Sequence, residues 1–211
     1  MSKSLDITAK SLSVLLYPLF IPTYGIVLFC IGHTMHVGQL TWAWMSVAVV
    51  GTFVLTCLLP ITAIWILMKR GQVQDLYIDN PKERTMPYIY AAFGFGCWSY
   101  LLVKILQAPI AISWVAIGAT FAIGLVALIN RWWKISAHLA GLGGLIGGLL
   151  SYCLWLGAIP SWSTLGLWLA ISWCLMWARL YLGAHTGAQV SAGWLLGILC
   201  TFIPFWIICN V

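Results

Sequence analysis

The chain has 211 residues, 63% of them hydrophobic and 7% charged, with a mean hydropathy of +1.00. No soluble globular domain of this length carries that balance, so the chain belongs in a membrane. Its net charge of +6 reflects a shortage of acids, four against ten Lys and Arg, and the basic residues sit in short loops, which excludes a nucleic-acid-binding domain.

A helix needs about 20 apolar residues to cross the hydrocarbon core. Counting on that basis gives seven candidate spans, roughly 12–32, 41–68, 87–106, 109–129, 137–159, 162–180 and 187–209. The expected fold is all-α, a polytopic bundle of six or seven transmembrane helices forming one domain over residues 1–211. Lys3 and Lys10 precede the first span without a small-residue cleavage site, as in a signal anchor. His33 and His36 follow it and are expected to face headgroups. Pro60 predicts a kink in the second span. The loop Asp79-Asn-Pro-Lys-Glu-Arg-Thr-Met-Pro87 comes next, and Gln107-Ala108-Pro109 makes the third and fourth spans a hairpin.

The fifth span carries Gly141, Gly143, Gly144, Gly147 and Gly148, with two Gly-x-x-x-Gly spacings that suit a central packing helix. All seven cysteines lie in apolar runs without Cys-x-x-Cys spacing and read as small hydrophobes. Trp132 and Trp133, beside Arg131, fit an interfacial belt.

Alternation of spans puts the N-terminus, the loop 69–86 and the junctions 130–138 and 179–187 on one side. Nine Lys and Arg share that side (Lys3, Lys10, Lys69, Arg70, Lys82, Arg84, Arg131, Lys134 and Arg179), against Lys104 opposite, so the positive-inside rule makes it cytoplasmic. The expected location is a bacterial inner membrane, with membrane lipids and a lipid phosphate as partners and no nucleic acid.

Three polar clusters converge there. Ala178–Gln189 contains Arg179, His185 and Gln189. Were His185 and Gln189 helical, their i, i+4 spacing would let the amide hydrogen-bond one ring nitrogen and fix the tautomer at the other. Lys134-Ile-Ser-Ala-His138 adds Ser136 and a second imidazole, and the 79–87 loop adds Lys82 and Arg84. Two histidines, a hydroxyl and several cations match phosphoryl transfer: cations offset charge, one imidazole attacks phosphorus and the other protonates the leaving oxygen. Tyr88, Tyr181, Asn130 and Arg131 lie near enough in sequence to contribute.

The order of these elements resembles the three-part signature of the type 2 phosphatidic acid phosphatase superfamily, K-x6-R-P, P-S-G-H and S-R-x5-H-x3-D, over residues 79–193. The resemblance implies a helical membrane core and a cofactor-free, metal-independent lipid phosphatase working through a phosphohistidine. It also implies His185 as nucleophile, His138 as acid, and Arg179, Arg84, Lys82 and Ser136 as phosphate ligands. Ala178 stands where the family has Ser, Ile135 and Ala137 where it has Pro and Gly, and Gln189 where it has the orienting Asp. His185-Thr-x-x-Gln189-Val190 is similar to the dolichyl-diphosphate phosphatase branch, which implies a polyprenyl phosphate or diphosphate.

Two alternatives stand beside this reading. One is a non-catalytic homologue that binds or transports a phosphorylated lipid. The other follows from Asp75-Leu-Tyr-Ile-Asp79 with Arg84 and Pro87, which faintly resembles the first aspartate motif of Mg²⁺-dependent intramembrane prenyltransferases. That chemistry needs a second acidic cluster, and no acid follows Glu83.

Overall fold

The computed structural model describes residues 3–38, 40–72, 85–157 and 162–210. These form α1 (Lys3–Leu15), α2 (Ile21–His36), α3 (Trp42–Phe53), α4 (Leu59–Lys69), α5 (Thr85–Tyr100), α6 (Ile110–Ile129), α7 (Ala137–Trp155), α8 (Trp162–Tyr181) and α9 (Gly187–Asn210), with no strand among the described residues. Six continuous helices are long and apolar enough to cross a membrane, α3 and α4 counting as one over Trp42–Lys69. The chain is an all-α polytopic integral membrane protein. Trp42, Trp132 and Trp162 at helix ends are largely exposed, as belt residues are.

The first expected span, 12–32, is two helices. Pro18 has no N–H and disfavours helical backbone at Tyr17, so α1 stops at Leu15 and the chain restarts as α2. The break frees carbonyls, and side chains collect them. Tyr24 Oη donates to Leu15 O at 2.8 Å, Thr56 Oγ1 to Leu19 O at 3.2 Å, and a ring nitrogen of His138 lies 3.1 Å from Ser13 O. The α2 segment has 16 residues, about 24 Å of helix. Short α1, carrying an Asp6–Lys10 ion pair, packs on α8 through its buried Ala9 and Ser13.

At Pro60 the helix widens instead of breaking. Residues Val54–Leu58 form a π-helical turn in which Leu59 N donates to Val54 O, and this shift of register accommodates the missing proline N–H. A second π-turn, Leu101–Ile105, ends the span begun by α5.

The centre of the bundle is the α7–α9 pair, and glycine makes it close. A Cβ on Gly143 would strike the Trp194 carbonyl, and one on Gly197 the Ala140 carbonyl, so the two backbones touch. Thr201 Oγ1 donates to Gly144 O at 3.1 Å, and Ser151 Oγ to Thr201 O at 3.1 Å, adding polar links. Elsewhere Trp98 Nε1 donates to Thr52 Oγ1 at 2.8 Å, and Ser99 and Thr120 share a hydrogen bond at 2.7 Å. His33 does not face headgroups: it is buried, stacked on Trp155 with ring centroids 6.1 Å apart. Cys30 and Cys57 are buried and Cys174 is exposed; all three are free thiols.

Candidate active site

The Arg179-x5-His185 stretch folds as a helix stop followed by a helix start. Gly183, at φ +63°, takes the left-handed position after α8, with Gly183 N donating to Leu180 O and Ala184 N to Arg179 O. Arg179 is thereby left in the last turn of α8, and His185 lies in the short link to α9. Thr186 and Gln189 then form a reciprocal cap: Thr186 N donates to Gln189 Oε1 at 3.0 Å, and Gln189 N to Thr186 Oγ1 at 3.4 Å.

His185 and Gln189 do not share a helix as expected, although the Gln189 side chain still hydrogen-bonds the ring weakly. His185 precedes α9, and its Nδ1 lies 3.1 Å from Lys134 O, so a backbone carbonyl is the geometric partner of the ring. An Nδ1–H donated there leaves the Nε2 lone pair free. Burial and then the Arg179 guanidinium push the His185 imidazole down to about 4; the Lys134 carbonyl opposes them, the Lys134 ammonium adds a smaller downward push, and the Gln189 side chain a still smaller upward one. The ring is therefore neutral at pH 7.

His138 opens α7 and is held the same way, with Nε2 3.1 Å from Ser13 O. The Tyr17 ring meets it edge-on at 5.5 Å and 90°. Both histidines line one cavity of about 120 Å³, together with Arg179, Lys134, Asn130, Tyr17 and Tyr88; α4 and α5 close it with Pro60, Ile64 and Pro87. Asn130 is buried, its Nδ2 donating to Val126 O at 2.9 Å and to Ile135 O at 3.4 Å, which ties the end of α6 to the turn that delivers Lys134 and His138.

Other expected ligands are elsewhere. Ser136 is fully buried as the N-cap of α7, accepting from Leu139 N at 3.5 Å, and does not line the cavity. Its own N–H donates to Gln189 O at 3.2 Å, tying α7 to α9. Lys82 and Arg84 lie outside the described residues, as do Asp75, Asp79 and Glu83. Arg131 is exposed, 5.9 Å from the Trp132 ring centroid, and Tyr181 stacks on Trp177 at 5.2 Å. Among the described residues no three His, Cys, Asp or Glu gather as a metal-binding group.

Sequence reasoning missed Tyr17 and the Ser13 carbonyl, whose one signal was a proline inside a presumed span. It also read Lys134 only as part of a cluster, although its carbonyl and its ammonium both act on His185. No protein-family model, curated protein or solved structure matches the chain.

Proposed function

We propose that the protein is a membrane lipid phosphatase that cleaves a phosphate monoester or diphosphate of a long-chain lipid through a phosphohistidine. One observation carries the reading: two imidazoles, each with one ring nitrogen against a backbone carbonyl, share a cavity with Arg179 and Lys134 inside an apolar bundle. Ionisable groups are expensive at a membrane boundary, and a convergent set marks a site for a charged group.

Arg179 and Lys134 offset the charge of the phosphoryl oxygens. Neutral His185 attacks phosphorus through Nε2 as the bond from phosphorus to the lipid oxygen breaks, while His138, entering the step as an imidazolium beside the anionic phosphate with its Nε2–H on Ser13 O, gives that oxygen its Nδ1 proton and is left neutral. Water then attacks the phosphohistidine. His138 Nδ1 takes the proton from the water, the N–P bond breaks, and phosphate leaves with His185 restored. Gln189 caps α9 in this scheme, and its side chain is a weak second partner of the His185 ring. The excess of Lys and Arg on the side of the site orients it toward the cytoplasm of a bacterial cell.

The test is phosphate release from purified protein across a panel of lipid phosphates. The expected result is EDTA-resistant, vanadate-sensitive release that is abolished in His185→Ala, with an acid-labile phosphoryl adduct on His185 after rapid quench. Release that persists in His185→Ala removes the nucleophile assignment, and a requirement for Mg²⁺ removes the mechanism.

A further inference from the structure

The glycines of α7 face two ways. Gly143 and Gly147 lie against α9, where a Cβ would strike the Trp194 carbonyl or Thr201 Oγ1. Gly141 and Gly148 instead face a second cavity of about 120 Å³ that α2, α5 and α6 complete with almost wholly apolar atoms; Gly144 also lines it, although a Cβ there would meet Thr201 of α9 at 3.6 Å. This crevice adjoins the polar one, since Pro18, Phe95, Ile123 and Ala137 line both.

The crevice is narrow. A methyl on Gly141 would meet Ile21 at 3.1 Å, and one on Gly148 would meet Val115 at 2.9 Å, and both residues belong to the cavity lining. Those close approaches pinch the crevice at both glycines, so its free space of about 120 Å³ lies between them and has room for no more than one chain. Its far end is closed by rings. Tyr152 reaches from α7 toward α2, its Cε1 3.4 Å from where a Cβ on Gly32 would lie, and it meets Phe29 edge-on at 5.3 Å. The next turn holds Trp155, 5.8 Å from Tyr152 and stacked on His33. From Ala137 to Tyr152 the lining runs about 22 Å at 1.5 Å per residue of helix. An extended chain advances about 1.2 Å per bond, so about 18 bonds fill the crevice.

We propose that the crevice binds a single hydrocarbon chain of the amphiphile whose phosphate occupies the polar cavity, and that Tyr152 sets the longest chain admitted. This rests on the lipid-phosphate reading for the identity of the headgroup. Glycine at 141 and 148 lets α2 and α6 close in on α7 as the walls, and the Tyr152 ring forms the floor. An amphiphile with two chains leaves one of them in the bilayer.

The experiment is photo-crosslinking of the full chain in detergent with alkyl phosphates that carry a terminal diazirine, at roughly 12, 18 and 24 bonds. Labelled residues are mapped by mass spectrometry. The short probe is expected to label the middle of α7 and α2, the intermediate one the Phe29–Tyr152 turn, and the long one neither. In Tyr152→Ala the long probe is expected to label Trp155 and His33, while Tyr152→Phe, which keeps the ring, behaves as the native protein. Labelling confined to outward-facing side chains such as Phe121 and Trp173 at every length overturns the proposal, and so does a long probe that reaches the floor of the native protein. If Tyr152→Ala fails to fold, the length series in the native protein decides. Crosslinking does not need turnover. Length-dependent labelling without phosphate release would refute the phosphatase and keep the chain site, whereas release without such labelling would do the reverse.

Discussion

Replacing Gln189 with Ala separates the two roles open to an amide four residues after a histidine. The side chain accepts from Thr186 N at 3.0 Å, and the opposing bond from Gln189 N to Thr186 Oγ1 survives the substitution. Thr186 is exposed, so water replaces the lost acceptor, and the cost is about 0.5–1 kcal/mol, the lower part of the capping range. For a chain of this size that lowers the melting temperature by about 1–4 °C. His185 keeps Lys134 O as its Nδ1 partner, so the loss in kcat stays below about tenfold, the equivalent of one weak hydrogen bond. An imidazole that loses its only orienting group falls instead by about 10⁴-fold. The assay pairs phosphate release with a thermal melt, and a ¹⁵N–¹H spectrum reads the His185 tautomer without turnover. A fall of more than about 10³-fold at an unchanged melting temperature, or loss of the Nδ1–H signal, would refute the assignment of Gln189 to the cap.

Three further outcomes follow from the geometry. His185, with its pKa lowered from 6.5 to about 4, titrates in ¹⁵N spectra near that lower value; the native state binds fewer protons than the unfolded one between the two, so stability falls as pH drops through that window, and a midpoint near 6.5 contradicts the buried, cation-flanked site. Gly197→Val drives a side chain into the Ala140 carbonyl and the Gly144 N–H and costs at or above the upper end of about 1–3 kcal/mol in a thermal melt, whereas Gly124→Val, which meets nothing within 4 Å, stays within about 0.5 kcal/mol. Thr52→Val strands the buried Trp98 indole N–H and costs about 1–3 kcal/mol, with Thr52→Ser restoring most of it; equal losses in the two variants would show that the methyl, not the hydrogen bond, matters.

Apolar run length gave the bundle, because backbone in a bilayer must satisfy itself and helices are the simple way to do so. The glycine spacing of 141–148 marked α7 as a packing helix, and α7 is the most buried of the spans. The stretch 12–32 misled because hydropathy counts residues and is blind to the missing N–H of Pro18. Ser136 stood just before an apolar run, where a hydroxyl belongs on the first free N–H groups of a helix, and its chemistry as a cap outweighed its place in a motif. Gln189 erred for a related reason: i, i+4 adjacency holds only within one helix, and Gly183 with the Thr186 cap puts His185 outside it. The contact between His138 and Ser13 was not legible at all, since every residue offers the same carbonyl and nothing in the letters says which one a fold will free.

In the proposed phosphatase, that freed carbonyl and its counterpart on Lys134 would take over the tautomer-fixing part of a carboxylate's role. A carboxylate beside an imidazole fixes a tautomer and also raises basicity by charge. A backbone carbonyl supplies the first effect and little of the second. With Arg179 and Lys134 nearby, His185 stays neutral, a lone pair held toward the cavity at a pKa pushed down to about 4. Such a ring is a weaker base than one paired with Asp, but it is almost wholly in the attacking form at pH 7, and an approaching phosphate brings the missing negative charge itself. Gln189→Asp would place an acid at the start of α9, where its charge suits the helix dipole and the Thr186 cap. The carbonyl partner of His185 would remain. The expected result is a modest rise in the His185 pKa and in helix stability with kcat changed by less than about tenfold. A gain in kcat of about 10³-fold or more would mean that the carbonyl does not hold the ring and that this chain is catalytically crippled at Gln189.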